Sequence, residues 1–189
     1  MRNLLKLTLI LGITVLLTNC AAFGTKTLYK KETIVLTKPK TLGFSQLENE
    51  PIIDQIVNGT SENYDKIMSS ELKKMEIESK NIHYPNFEKW TDLEKQKISD
   101  ICTSNKLDGI IFTQLKFINT KYSMMLIPIG KSQDTEVQMQ YFDSDGNLVL
   151  HIKHNTQKGN SYLDYPDAVK TVPDGIKGAL KRIFKEIEK

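Results

Sequence analysis

Two runs of residues with period two flank an Asp-Gly pair in the C-terminal third of the chain. Over 137–141 apolar residues alternate with glutamines, and a second alternating run covers 148–153. Alternation of this kind is typical of a strand with one buried face, and Asp-Gly is a preferred turn between two such strands. The sequence therefore predicts a β-hairpin that turns at Asp145-Gly146, with Gly146 at a positive φ.

Three stretches have the 3.6-residue period of an amphipathic helix. The first ends near Met75, and the second starts from a capping box of Thr91 with Glu94. The third is the clearest and opens at Pro173. Its apolar residues fall at i, i+3, i+4, i+7, i+8 and i+11: Ile176, Ala179, Leu180, Ile183, Phe184 and Ile187.

Apolar and β-branched patches predict further strands over 33–36, 41–44, 77–84 and 110–122. The patch Ile110-Ile111-Phe112 is continuous, which is typical of a strand covered on both faces. The order of elements is then β-α-β-α-β-β-β-α, which indicates an α/β (α+β) class. We therefore expect a single mixed β-sheet with about three helices packed on it.

The first nineteen residues have the features of a secretory signal peptide. Arg2 and Lys6 give a positively charged start, and the apolar stretch from Leu7 to Leu17 is shorter than the about 20 residues that a membrane-spanning helix needs. The leader also carries two of the three net positive charges of the chain. The mature part is therefore nearly neutral, and we expect no nucleic-acid partner.

The leader ends in Leu17-Thr18-Asn19-Cys20, which resembles the lipobox of bacterial lipoproteins. The resemblance implies that the Cys20 thiol is diacylglycerylated and becomes the new N-terminus, so that acyl chains hold the protein on a membrane. A secreted protein with a coincidental cysteine is the alternative.

The same resemblance suggests a domain organisation. We expect a signal peptide over 1–19, a lipidated tether over 20–31 and a single periplasmic α/β domain over 32–189. Ala21 stands where an aspartate would imply retention in the inner membrane. The resemblance thus implies an outer-membrane lipid anchor with the domain facing the periplasm.

The arrangement of the elements resembles one group of envelope proteins. Leu42-Gly43-Phe44 leading to a helix, the turn from Asn105 to Gly109, the Asp-Gly hairpin and the C-terminal helix are similar to the α/β periplasmic lipoprotein fold. That fold is shared by the curli-secretion-channel lipoproteins, the penicillin-binding-protein activator lipoproteins and the N-terminal domain of TolB. The resemblance implies a protein that binds a partner or assembles into an envelope machine, and not an enzyme.

Residue types that could carry catalysis or bind a metal are present, but their spacing does not fit a site. His151 and His154 are three apart on a strand and so point to opposite faces. The segment 143–154 lacks the glycine position and the glutamate of a calcium loop. Cys102 has apolar neighbours at helical spacing, which predicts a buried side chain. With no Gly-x-Ser-x-Gly motif either, we expect no catalytic residues, no cofactor and no metal.

Two segments are candidates for a partner surface. The run over 124–130 carries no charge; it is either a strand end or loop tucked into the core, or an exposed apolar contact surface. The loop over 158–166 is rich in tyrosine, which is enriched at recognition surfaces, although it could equally pack over the last helix. The candidate partner surface consists of Met124, Met125, Leu126, Ile127, Tyr162 and Tyr165.

Together these features predict a non-enzymatic, lipid-anchored envelope protein that binds or scaffolds another periplasmic or outer-membrane component. One alternative is a subunit of an oligomeric outer-membrane secretion assembly, so a homo-oligomer stays open. Such an assembly needs amphipathic hairpins with strands of about ten residues, and the spare segment from Met124 to Gln133 is too short for two of them. The other alternative, an envelope hydrolase, would need convergent polar groups.

Overall fold

The computed structural model describes residues 24–32, 37–49, 53, 57–84, 90, 93–124, 127–156 and 168–188. For residues 49, 117–124, 127–134 and 168–169 it describes the backbone alone. The predicted strand over 33–36 and the predicted capping residue Thr91 lie outside the described residues, as do the leader and Cys20.

The described strands are β1 Gly24–Lys30, β2 Thr41–Ser45, β3 Glu48–Asn49, β4 Glu78–Ile82, β5 Gly109–Met124, β6 Ile127–Asp143 and β7 Leu148–Asn155. They form one mixed sheet with the order β1-β7-β6-β5-β2-β4, and the short β3 pairs with β5. The pairs β1-β7, β7-β6 and β6-β5 are antiparallel, whereas the pairs β5-β2, β2-β4 and β3-β5 are parallel.

In the described ranges three helices pack on this sheet: α1 (Thr60–Lys74), α2 (Lys95–Asn105) and α3 (Ala168–Ile187). Helices α1 and α3 bury the larger apolar cluster against one face, which we call the α1/α3 face. Helix α2 buries a smaller cluster against the opposite face, which we call the α2 face. The predicted class, a single mixed sheet with three helices, is confirmed.

The hairpin predicted around Asp145-Gly146 is confirmed. Gly146 has a φ of 76°, and the carboxylate of Asp143 accepts hydrogen bonds from the backbone N–H groups of Asp145 (3.1 Å) and Asn147 (2.8 Å). Asp143 therefore serves the turn itself, as the failed calcium-loop spacing indicates.

Two helices begin at other residues than the sequence predicts. Helix α2 begins at Lys95, after Glu94, which makes no side-chain capping hydrogen bond. Helix α3 begins at Ala168, so the expectation that Pro173 opens it is wrong. The proline removes only one backbone hydrogen bond near the start of the helix. That first turn is fixed to the sheet by Thr171, whose hydroxyl lies 2.7 Å from the hydroxyl of Thr135.

Two strand regions were not predicted. Strand β1 occupies Gly24–Lys30, within the segment assigned to the tether, and it pairs with β7 at the edge of the sheet. Strand β6 begins at Ile127, ten residues before the alternating run over 137–141. The uncharged run over 124–130 therefore includes the last residue of β5, Met124, and the first residues of β6 from Ile127.

Candidate functional site

Strands β5 and β6 continue well beyond the strands on either side of them. On β5, the pairing with β3 ends at Leu115, and on β6 the pairing with β7 begins at Glu136. At the start of the extension, opposite Phe117, the backbone oxygen of Thr135 still accepts a hydrogen bond from the N–H of Thr156 (3.0 Å). Farther out, among the described residues, β5 and β6 pair only with each other, from Ile118 opposite Asp134 to the tip. We call residues 117–124 and 127–135 the hairpin arm; at about 3.4 Å per residue it is about 24 Å long.

A two-stranded hairpin without a third strand or a helix beside it is marginally stable in water. At the tip of the arm Met124 pairs with Ile127, and the register shifts beyond Tyr122. A shift of this kind is a β-bulge, which increases the local twist of the strands. Among the described strands, no third strand pairs with the arm beyond Phe117.

The predicted partner surface falls partly on this arm. The backbone of Met124 and Ile127 forms the tip, whereas Met125, Leu126, Tyr162 and Tyr165 lie outside the described residues. The arm extends beyond the spare segment from Met124 to Gln133, because it draws on residues from 117 to 135 and adds eight or nine residues to each strand. Sequence patterns missed this length because the arm has no regular alternation of apolar and polar residues.

Polar side chains cover the α2 face of the sheet between helix α2 and the base of the arm. Directly paired residues of an antiparallel sheet share a face, so the ladder sorts them into rows. One row runs from Gln114 through Gln138 to Lys153, and the next runs from Phe112 through Gln140 to His151. We call this surface the polar sheet face; it consists of Gln114, Glu136, Gln138, Gln140, His151 and Lys153.

A chain of hydrogen bonds connects the polar sheet face. The Gln138 side-chain nitrogen donates to Glu136 Oε1 at 2.7 Å, and Lys153 forms an ion pair with the other carboxylate oxygen. The amide oxygen of Gln138 lies 3.0 Å from His151 Nε2. Because an amide oxygen only accepts, His151 Nε2 carries the proton and donates it.

The imidazole of His151 is also an aromatic contact. Its ring meets the indole of Trp90 edge to face, with 5.2 Å between the ring centroids. Burial lowers the pKa of His151 below its ordinary value, so the ring is neutral at neutral pH. Within the described part of the chain, the buried indole N–H of Trp90 has no hydrogen-bond partner.

Sequence spacing alone could not reveal this group. Glu136 and Lys153 are far apart along the chain and meet only because β6 and β7 pair in one register. The hairpin turn at Asp145-Gly146 was only a partial signal, because a register shift between Tyr141 and Phe142 displaces the pairing counted outwards from the turn by one residue.

The remaining candidates for chemistry serve the fold. His154 lies on the α1/α3 face, opposite to His151 as predicted; its Nδ1 is 2.7 Å from the hydroxyl of Thr25, and helix α3 crosses the ring at Gly178. Cys102 is buried, as expected, and burial raises the pKa of its thiol to about 11. Among the residues that the structure describes, no group of histidine, cysteine and carboxylate side chains could hold a metal ion.

No helix in the described ranges combines the length and the hydropathy that a membrane crossing requires. No protein-family model matches the chain. A search of curated proteins finds no match either.

Solved structures with a similar fold do exist. Lipoprotein GNA1162 from Neisseria meningitidis matches with 10% identity and a TM-score of 0.42, over 79% of this chain and 99% of that one. The C-terminal domain of LpoB from Salmonella enterica matches with 10% identity and a TM-score of 0.41, over 67% and 87%. A neuraminyllactose-binding hemagglutinin homolog from Helicobacter pylori matches with 11% identity and a TM-score of 0.39, over 85% and 91%.

These neighbours include a lipoprotein and a domain of LpoB, and the likeness concerns the fold alone.

Proposed function

We propose that this chain is a non-enzymatic, lipid-anchored protein of the bacterial cell envelope that binds another envelope component through its hairpin arm. The signal-peptide pattern and the lipobox-like sequence before Cys20 support the anchor. Acyl chains on Cys20 would hold the protein at the outer membrane, with the folded domain in the periplasm.

The observation that carries the proposal is the arm itself. Its two strands extend about 24 Å past the last pairing with the rest of the sheet, and such a hairpin needs further packing to be stable. A partner that packs against the arm supplies that contact. Binding would therefore order the arm and bury it at the same time.

The sequence at the tip suits a protein partner. Residues 124–130 carry no charge, and two adjacent methionines, Met124 and Met125, have the flexible side chains that adapt to varied surfaces. Leu126 and Ile127 add apolar area. In this proposal Tyr162 and Tyr165, from the loop before α3, extend the contact surface.

The polar sheet face complements this apolar tip. Its row nearest the arm contains Glu136, which pairs with Lys153 and with Gln138. A partner that lies along the arm would reach these groups at its base. The contact would then have an apolar centre and a hydrogen-bonding rim, which is the usual composition of a protein interface.

In-cell crosslinking tests the proposal. A photo-reactive residue at Met125 is expected to give one discrete crosslinked product in intact cells, and a photo-reactive residue at Lys66, exposed on α1, is the matched control. A Cys20→Ser variant tests the anchor separately: it should leave the membrane fraction. Equal crosslinking from both positions would contradict the role of the arm, and unchanged membrane association would contradict the anchor.

The arm also gives support to a second candidate, a subunit of an oligomeric secretion assembly. Its strands approach the length of about ten residues that a pore-lining hairpin needs. Such a hairpin also needs one apolar set of alternating residues, whereas both sets of β5 contain polar residues. These sets are Phe117, Asn119, Lys121 and Ser123, and Ile118, Thr120, Tyr122 and Met124. Native mass spectrometry that detects a closed ring would favour this candidate over the first.

A hydrolase finds little support in the described residues. His151 donates to an amide, and His154 is paired with Thr25 beneath α3, where a Cβ at Gly178 would lie 2.3 Å from the ring. Neither histidine is therefore placed beside both a nucleophile and an open cleft.

A further inference from the structure

Strand β1 is one of the two edges of the sheet, and it carries an unusual pair of side chains. Leu28 is 42% exposed and Tyr29 is 44% exposed; among the described residues they are the only large apolar side chains with this degree of exposure. Thr27 pairs with Ile152 and Tyr29 with His151, so Leu28 is the extra residue of a β-bulge. The bulge places two adjacent apolar side chains at the free edge of the sheet.

This edge lies close to the proposed lipid anchor in the chain, and the inference rests on that anchor. Strand β1 begins at Gly24, four residues after Cys20. Four residues span at most about 14 Å, even when fully extended. A protein held by acyl chains on Cys20 therefore keeps the start of β1 within that distance of the acylated cysteine.

We propose that the β1 edge lies against the lipid headgroups, with Leu28 and Tyr29 inserted among them. Tyrosine is suited to this position, because its ring is apolar and its hydroxyl remains in contact with water and headgroups. The charge of the segment fits an anionic lipid surface: Lys26 and Lys31 stand against one acidic residue, Glu32, while Lys30 is paired with Glu186.

The same edge is poorly suited to pairing with a strand of another chain. An edge strand that accepts a further strand needs a regular row of free backbone groups, and a bulge interrupts that row. Lysine on an edge strand also opposes strand addition, and Lys26 is exposed. A lipid surface requires no backbone register, so it is the occupant that this edge favours.

The proposal fixes the orientation of the domain. The sheet order places β4 at the opposite edge, five strand spacings from β1. At about 4.8 Å per spacing this amounts to about 24 Å. With β1 on the membrane, β4 is therefore directed towards the periplasm, beyond the headgroup layer.

Tryptophan quenching by brominated lipid can measure this orientation in the lipidated full-length chain. Replacing Trp90, the only tryptophan, by phenylalanine gives a silent background and conserves an aromatic ring beside His151. Into this background Tyr29→Trp places a probe on β1, and Glu78→Trp places the matched control on exposed β4. Each protein is reconstituted into vesicles of phosphatidylethanolamine and phosphatidylglycerol, with and without phospholipid brominated near the headgroup.

We expect the tryptophan at position 29 to lose about half of its fluorescence to brominated lipid and the tryptophan at position 78 to remain unquenched. Flotation of the same vesicles measures the anchor independently. Proteins that float without quenching at position 29, or that form dimers crosslinked through β1, would overturn the edge contact and leave the anchor standing. Proteins that fail to float would overturn the anchor and the edge contact with it.

A second measurement needs no substitution. The lipidated chain with its native sequence is treated with a water-soluble amine-acylating reagent, once in vesicles and once in detergent. The reactivity of Lys26 is then compared with that of Lys66, exposed on α1. Several-fold protection of Lys26 in anionic vesicles, with Lys66 unchanged, supports the edge contact. Equal reactivity of Lys26 in both conditions overturns it.

Discussion

The ammonium group of Lys30 on β1 lies 3.2 Å from the carboxylate of Glu186 on α3 and 3.1 Å from the backbone oxygen of the same residue. Arg182 approaches the other carboxylate oxygen at 2.8 Å. One buried carboxylate thus joins the edge strand, which follows the proposed anchor, to the C-terminal helix. The side chain of Glu186 is only 7% exposed, and its contacts with Lys30 and Arg182 replace part of the hydration that burial removes.

Replacing that carboxylate should loosen the edge strand. We expect Glu186→Gln to lower the free energy of unfolding by about 1–2 kcal/mol, because both cations are about one-third exposed and recover part of their solvation from water. Urea unfolding measures the effect. Glu188→Gln, at an exposed position on the same helix end, is the control and should change little. Equal effects of the two substitutions would contradict the role of the buried carboxylate.

A glycine on α3 makes room for a histidine. A Cβ at Gly178 would lie 2.3 Å from His154 Nε2, so Gly178→Ala should destabilise the protein by about 1–3 kcal/mol through overpacking. Lys177→Ala, at the exposed neighbouring position, should be nearly neutral. In a His154→Ala background, Gly178→Ala should lower the free energy of unfolding by less than it does in the native sequence. Additive effects would show that the histidine ring is not the obstacle.

Acid should destabilise the protein through its two half-buried histidines. Burial lowers the pKa of both His151 and His154 from the ordinary value of 6.5, although Asp174 partly opposes this at His154. Below that value the unfolded chain binds protons that the native chain does not, so the free energy of unfolding should fall as the pH is lowered through it.

Urea unfolding between about pH 7.5 and pH 5.5 measures this slope. The raised pKa of Asp65 acts in the opposite direction, because the native carboxyl binds its proton at a higher pH than the ordinary value of 3.8. A double variant, His151→Gln with His154→Gln, should show a flatter profile. An unchanged slope would assign the acid sensitivity to other groups.

The arm should be dispensable for folding. Replacing residues 119–133 by a two-residue turn removes only pairs that β5 and β6 make with each other. We expect the free energy of unfolding to change by less than about 1 kcal/mol, since the described sheet and its clusters keep their contacts. A loss of several kcal/mol would mean that the arm packs on the domain and is not free for a partner.

The parts of the fold that the sequence predicts are those in which one face is buried against the core. Helix α3 and the strands around Gly146 have apolar residues at regular spacing, because one side of each element is buried in the larger apolar cluster on the α1/α3 face. The pattern of β1 is harder to detect, since the bulge at Leu28 breaks the alternation and the strand lies at an edge.

The candidate site was predicted only in part. The uncharged run from Met124 was recognised from composition, but its position at the tip of a long hairpin depends on backbone pairing that leaves no periodic signal. The polar sheet face was missed because Gln138 and His151 meet through strand register, which single-sequence patterns do not report.

The proposed role of the arm is tested most directly by comparing two chains in the same cells, one with the native arm and one with the shortened arm. Envelope proteins crosslinked to each are recovered and counted by mass spectrometry, with equal membrane association as the control. We predict that one envelope component is enriched at least about tenfold with the native arm, a difference of about 1.4 kcal/mol in binding. Recovery of the same components in equal amounts from both chains would contradict a partner-binding arm.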